Sequence, residues 1–478
     1  MARSKHTRQA VYLILSLILF CGSAFAQKNP KDEFVFPELN PIKMPKIEEV
    51  TLENGLRLFL VEDHNYPTIG IRAGVYTGSI YESPEKVGLA SITGTVLRTG
   101  GTENISGDEI DKQLETMAAS IETWIDENSG GLSASMLKDD LDRCLELMAD
   151  ILMNPVFSED KIALAKVAQQ SLISRRNDDV EEITEREFNK LIYGSAHPYA
   201  RHPEYATVDA NNREDIVNFY RTYFHPNNMM MAVWGDFEIK EMVDKIKKVF
   251  REWPGKSVEL PPKPEVSRSE IYSVNYIEKT DVNQSNIMIG HLGGLRNNPD
   301  YPALIVMNYI LSWDRMFKKI RTDEGLAYNV WGSYGANYDY PGVFSSGAQT
   351  KSESTVYAIQ LILEEMKRIA DEKVTDEELK KAKDRYLNSF VFNFDSQEKI
   401  INRMLTYTYF DYPEDFADRL KEKIEKVNKA DVLQVAKKYL HPDQVSILVV
   451  GNQKDFDKPL ATLGEVKVID ITIPPPAE

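Results

Sequence analysis

One phrase occurs twice in this chain. His225-Pro226-Asn227 leads through an apolar run, Met229 to Trp234, into Gly235-Asp236, and His441-Pro442-Asp443 leads through Val445 to Val450 into Gly451-Asn452. In both copies the glycine lies ten positions after the histidine, and the copies are 216 positions apart in a chain of 478 residues. Each copy follows a helix-like segment ending in large side chains, Tyr223-Phe224 and Tyr439-Leu440. Each apolar run is closed by glycine and a turn former, as when a helix feeds a buried strand. One copy would be an ordinary way to leave a helix. Two copies with matched spacing and flanks imply internal duplication, and therefore two similar domains in tandem.

The length has room for two such domains, each with an ample core. The first 26 residues read as a secretory signal peptide: basic Arg3, Lys5 and Arg8, an apolar run Val11 to Phe20, and Ala24-Phe25-Ala26 before Gln27. Export to the periplasm of a Gram-negative bacterium, with cleavage after Ala26, is the expectation. No other stretch approaches the ~20 apolar residues of a membrane helix, so no membrane span is expected. After cleavage Cys144 is the sole cysteine, which excludes an intrachain disulfide. It lies on an apolar stripe with Leu141, Leu145, Met148 and Ile151 and reads as a small buried hydrophobe. The formal net charge is −17, and −20 once three basic residues leave with the signal. Such an acidic surface argues against nucleic acid or anionic lipid as a partner.

Along the chain, residues 27–45 read as an extended arm. Glu48 to Leu52 and Leu56 to Val61 read as a hairpin turning at Asn54-Gly55, and Ile69 to Tyr76 as a further strand. Helices are expected after the Ser106-x-x-Glu109 capping box, over Leu137 to Met153, and from Ser158 to about Arg176. The proline-rich segment 254–270 has linker chemistry. The second half repeats the order: strands over Tyr272 to Glu278 and Asn286 to Leu292, a helix Pro299 to Arg321, and strands Asn329 to Tyr338 and Gly342 to Thr350. Helices then follow over Ser354 to Glu372 and, behind the Thr375-x-x-Glu378 box, Asp376 to Asn393. The expected domains are 46–253 and 271–460, with a tail 461–478 that is loose from Ile471. Strand hairpins followed by runs of helices indicate an α+β fold.

The layout and several motifs resemble the pitrilysin (insulinase-type, inverzincin) zinc peptidases, a family that includes the mitochondrial processing peptidase and inactive relatives. The resemblance spans residues 46 to 455. It rests on Val50-Thr51-Leu52-Glu53-Asn54-Gly55-Leu56, Lys86-Val87-Gly88-Leu89-Ala90, Gly100-Gly101-Thr102 and Arg321-Thr322-Asp323-Glu324-Gly325-Leu326-Ala327-Tyr328. It implies two tandem duplicated α+β domains of the processing-peptidase type, each an antiparallel-rich sheet with helices packed on it. In active members Gly-Leu-Ala opens an H-x-x-E-H helix whose histidines bind zinc and whose glutamate activates water. Here the same positions are Ser91, Gly94 and Thr95. Neither hydroxyl is a credible zinc ligand, and glycine cannot be a general base. The family's third ligand, a glutamate on a later helix, falls in Val167-Ala168-Gln169-Gln170-Ser171-Leu172, which holds no carboxylate. No metal is expected in this chain. His64 and His291 stand isolated in the sequence, His225 and His441 belong to the repeat, and His197 and His202 share a proline-broken loop suited to packing.

The family's other half-site is intact. Its active members carry an arginine and, seven residues on, a tyrosine that face the zinc across a chamber, and Arg321 and Tyr328 match both types and spacing. The resemblance implies that the guanidinium contacts substrate carbonyls and the phenol the oxyanion. The alternative is that Arg321 pairs with Asp323 or Glu324 while Tyr328 is a strand-edge aromatic. The family's processing peptidases also carry a glycine-rich loop before this helix, and Asn308 to Asp314 has none. The leading expectation is the non-zinc subunit of a two-component metallopeptidase acting on peptides or unfolded segments, with zinc in a separate H-x-x-E-H partner, as a heterodimer or higher assembly. The rivals are a scaffold or assembly subunit without a role in proteolysis, and a peptide-binding protein.

Overall fold

The structure, a computed structural model, describes residues 44–267 and 271–476. The expected signal peptide and all but the last two residues of the arm lie outside the described residues. The first half builds a six-stranded sheet from β1 (Glu48–Thr51), β2 (Arg57–Glu62), β3 (Thr68–Val75), β4 (Ser120–Ile125), β5 (Gly130–Leu137) and β6 (Met229–Gly235), in the order β1-β2-β6-β3-β5-β4. Gly55, at φ 91°, makes the turn of the first hairpin. That left-handed conformation strains a residue with a Cβ.

The second half builds its sheet from β7 (Ser273–Glu278), β8 (Gln284–Leu292), β10 (Ala327–Tyr334), β12 (Val343–Lys351), β13 (Ser446–Gly451) and β14 (Val466–Val468), in the order β10-β12-β8-β13-β7-β14. Two short segments, β9 (Gly294–Leu295) and β11 (Ala336–Asn337), pair in parallel beside it. The duplicated phrase supplies β6 and β13. β6 is parallel to β2 and antiparallel to β3, and β13 is parallel to β7 and antiparallel to β8. The two sheets therefore correspond strand for strand from β2 to β4 and from β7 to β10. A strand flanked on both sides and covered on both faces has no polar side, which is why both copies read as continuous apolar runs. The fold is α+β with two such sheets, as expected.

Each sheet packs one face on helices of its own half. The first core joins Ile69, Ile71 and Val233 to Ile92, Val96, Cys144 and Met148, and the second joins Ile287, Ile289 and Val449 to Leu304, Met316, Ile359 and Val435. The opposite faces are covered reciprocally. The helix Val180–Tyr193 of the first half sets Ile183, Phe188 and Ile192 on Ile277, Leu448 and Val450 of the second sheet. The helix Gln397–Tyr409 of the second half sets Ile401 and Leu405 on Phe59, Val61, Met230 and Ala232 of the first. Rings close the seam: Tyr76 stacks on Tyr409 at 4.3 Å between centroids, and Tyr193 donates its hydroxyl to the Pro341 carbonyl at 2.8 Å.

Three local expectations change. The helix read from Leu137 starts at Leu141, because Leu137 ends β5. The helix read over Pro299 to Arg321 is α-helical over Tyr301–Tyr309 and then winds as a wider π-helix over Ile310–Asp323. The tail is not loose at Ile471: β14 pairs with β7, Ile469 and Ile471 join the cluster under the crossing helix, and Ile473 packs on the first core. The prolines of the tail obscured an alternation of isoleucines, Ile469, Ile471 and Ile473, that suits docking on two sheets.

Candidate functional site

The motif helix runs from Leu89 to Thr99 and is entered through Gly88 at φ 105°. Its first turn leaves amides without helical partners, and Glu82 accepts from the Gly88 and Ala90 N–H groups at 3.2 and 2.5 Å. Glu82 is buried, and that burial pushes its carboxyl up to about 7 against these hydrogen bonds and the Arg201 charge. Ser91 and Thr95, four apart, are both exposed, as residues on one helix side should be. The Thr95 hydroxyl is spent on the Ser91 carbonyl at 3.0 Å. Gly94 is buried against β4: a Cβ there would lie 2.5 Å from the Ile125 nitrogen and 2.7 Å from the Trp124 carbonyl carbon.

The helix Glu159–Arg175, where the family's third ligand would stand, does pack beside the motif helix. Gln169 reaches the Gly88 carbonyl with its amide nitrogen at 3.5 Å, and its amide oxygen is buried without a partner. Gln170 turns to Asp209, donating at 2.7 Å. The positions that the resemblance aligns with a zinc site thus carry two exposed hydroxyls, a bare Cα and, on the neighbouring helix, carboxamides. Those donors do not fit zinc, which takes imidazole, thiolate or carboxylate.

Arg321 and Tyr328 stand on the second half. Arg321 lies near the end of the π-wound segment and is exposed. Its guanidinium carbon sits 4.9 Å from the Phe317 ring centroid and 5.3 Å from that of Tyr328, so the cation is flanked by two rings. Glu324 is taken by Lys319 at 2.7 Å, and among the described residues no carboxylate approaches Arg321 within 4.0 Å. The ion pair with Asp323 or Glu324 weighed from sequence does not form. Tyr328 is 75% exposed and is the extra residue where the β10 register slips between Ala327 and Asn329. Such a bulge re-aims a side chain out of the sheet. The ring stack continues where sequence reasoning saw nothing: Phe317 meets Trp313 at 5.3 Å between centroids, and Arg385 lies over Trp313 at 5.1 Å. The four-residue spacing of Trp313, Phe317 and Arg321 was the available signal. Among the described residues, no hydrogen bond, ion pair or ring contact joins the motif helix to Arg321 or Tyr328.

The histidines follow the packing reading with two changes, and the first is His291: its Nε2 accepts the His441 backbone N–H at 3.3 Å, and the two rings lie 5.4 Å apart. His197 bonds the Glu265 carbonyl at 3.1 Å, and burial lowers His202 to about 4. His64 is not isolated in space: its Nε2 is 3.0 Å from Glu62 and its Nδ1 2.6 Å from Asp236. Glu62, His64 and Glu238 are the one group among the described residues whose ligand atoms all fall within 4.8 Å of one another, and all three are exposed. Glu62 ends β2 and His64 lies just beyond it, so strand periodicity gave no signal for this pair.

Two family descriptions match this chain: Insulinase (Peptidase family M16) over residues 57–197 and Peptidase M16 inactive domain over residues 211–386. A probable mitochondrial-processing peptidase subunit beta of Arabidopsis thaliana is 24% identical over 87% of this chain and 80% of its own length. A Helicobacter pylori protein described as a non-peptidase homolog, YmxG, is 21% identical over 87% of this chain and 94% of its own. The crystal structure of a peptidase M16 inactive domain from Pseudomonas fluorescens superposes with a TM-score of 0.76 at 20% identity, covering 85% of this chain and 98% of that one. With its duplicated sheets, its Gly-Leu-Ala motif helix and these matches, the chain belongs to peptidase family M16, the insulinase family.

Proposed function

We propose that this protein is the zinc-lacking subunit of a two-component M16 metallopeptidase. A second chain with an intact H-x-x-E-H helix holds the metal and the general base. This chain contributes Arg321, Tyr328 and half of an enclosed chamber, and the substrates are peptides or unfolded segments able to enter it. One observation carries the reading: every zinc-site position is chemically degenerate, while Arg321 stays exposed, ring-flanked and without a carboxylate. Rings on two sides leave the edge N–H groups of the guanidinium for a peptide carbonyl, and an exposed phenol can donate to an oxyanion. The subunit name of the Arabidopsis relative is in keeping with a division of labour between chains. The signal-like first 26 residues support a periplasmic setting, and among the described residues no helix is long and apolar enough to cross a membrane.

The test is recovery of the tagged mature protein from its own envelope fraction, followed by assay against a quenched peptide library with and without a zinc chelator. Co-purification of an H-x-x-E-H chain with chelator-sensitive cleavage is the expected result. A clean complex lacking both would sink the proposal and leave the second reading, a scaffold subunit. That reading has its own observation: Leu164, Val167 and Leu172 on the helix beside the motif helix are 61%, 60% and 71% exposed, an apolar stripe suited to assembly.

A further inference from the structure

The ring stack around Arg321 extends well past the residues that the proposed function uses. From Tyr328 it passes through Arg321, Phe317 and Trp313 to Arg385 on the helix Asp376–Phe390, with successive separations of 5.3, 4.9, 5.3 and 5.1 Å. Its far end is open. Trp313 is 46% exposed, although an indole of that size is usually covered. Arg385 is held only at 3.7 Å by Asp314. On the neighbouring edge strand β10 one amide is already taken: the Gly332 N–H donates to the Ser312 hydroxyl at 3.1 Å. A peptide reaching this surface therefore meets faces of rings beside a strand with one amide spent.

We propose that Trp313, backed by Arg385, is a side-chain subsite for an aromatic residue of a peptide bound at Arg321 and Tyr328. The inference rests on the proposed function for its occupant. That choice follows from continuity: one uninterrupted track leads from the carbonyl-binding cation to the exposed indole. An extended peptide presents carbonyls and side chains along its length, and the track offers it a cation and then rings. Phe317, half-buried between Arg321 and Trp313, makes the floor. An aromatic side chain gains an offset or edge contact with Trp313, and Arg385 on the same indole raises the polarity of the pocket end without supplying a competing ring.

The experiment uses the mature full chain and fluorescein-labelled octapeptides of alanine and serine in which a single Phe is moved position by position, with binding read by anisotropy. At one register Phe is expected to tighten binding about tenfold over Ala. Trp313→Ala should erase that preference while leaving the all-Ala/Ser peptide unchanged, and Trp313→Phe should keep most of it. Arg321→Ala should weaken every peptide alike. If Arg321→Ala has no effect while the Phe preference persists and depends on Trp313, the carbonyl-binding role fails and the subsite stands. Equal affinity for Phe and Ala peptides at every register overturns the subsite, as does a preference that survives Trp313→Ala. So does a Trp313→Ala protein with unaltered peptide binding that no longer retains an H-x-x-E-H chain, since Trp313 would then belong to a subunit contact.

Discussion

Gly94 meets Ile125 through its bare Cα: a methyl group at position 94 would come within 2.5 Å of the Ile125 backbone nitrogen. Thr123 on the same strand donates its hydroxyl to the Gly94 carbonyl at 2.6 Å, so helix and strand are tied together at this point. The position that the resemblance aligns with the family's general base is packed shut and bears no side chain.

Restoring the motif should therefore fail for a steric reason. Gly94→Ala is expected to destabilise the protein by about 2 kcal/mol through overpacking. The triple change Ser91→His, Gly94→Glu, Thr95→His should destabilise it further without producing tight zinc binding, because Gln169 still supplies no carboxylate. Urea melts and zinc titration check both. A stable triple variant that binds zinc would show that β4 yields easily.

Glu82 makes the motif helix sensitive to pH. Its folded-state value, raised to about 7, lies above that of the unfolded chain, so the folded protein holds the proton more tightly. The stabilising contribution is complete below about pH 4.5 and is lost as pH rises through about 7, amounting to at most about 3 kcal/mol. Relative to wild type, Glu82→Gln should lack this decline between pH 5 and 8. Parallel stability–pH curves for the two proteins would contradict the assignment.

The flanked guanidinium predicts that Arg321 tolerates no basic substitute. Lysine cannot lie flat between Phe317 and Tyr328 or present a planar fork. In the reconstituted complex Arg321→Lys should lower kcat/KM about as much as Arg321→Ala, by about 10²-fold, and Tyr328→Phe should act mainly on kcat. Turnover restored by lysine would mean that charge alone suffices.

Cys144 should be silent in the native protein. It is buried among the first core's helices, and burial pushes its thiol up to about 11. A thiol reagent at pH 8 is expected to label it only under unfolding conditions. Rapid native labelling would mean that the Leu141–Met153 helix opens locally.

Much of this architecture was legible in the residues because it depends on local pattern. The duplicated His-Pro phrase marked β6 and β13, since a strand covered on both faces must be apolar throughout. The Thr375 box was readable because its reciprocal bonds need only two side chains three residues apart. What stayed hidden depends on contacts distant in sequence. β5 was missed because glycines and serines dilute its alternation: Gly130, Gly131, Ser133 and Ser135. The approach of β4 to Gly94, the gathering of Glu62, Asp236 and Glu238 around His64, and the indole beyond Phe317 each need the folded chain to be seen.

The reciprocal seating of Val180–Tyr193 and Gln397–Tyr409 bears on how such a chamber could open. Any hinge between the two halves would uncover Phe59, Val61 and Met230 on one sheet and Ile277, Leu448 and Val450 on the other. Water contact with apolar surface costs about 25 cal/mol per Å², which opposes hinging between the two halves. In the proposed two-chain assembly, substrate entry would then depend on how the two polypeptides part and rejoin along their shared edge. Gating would in that assembly belong to the quaternary contact, where a partner could tune it while every strand of this subunit stays in place.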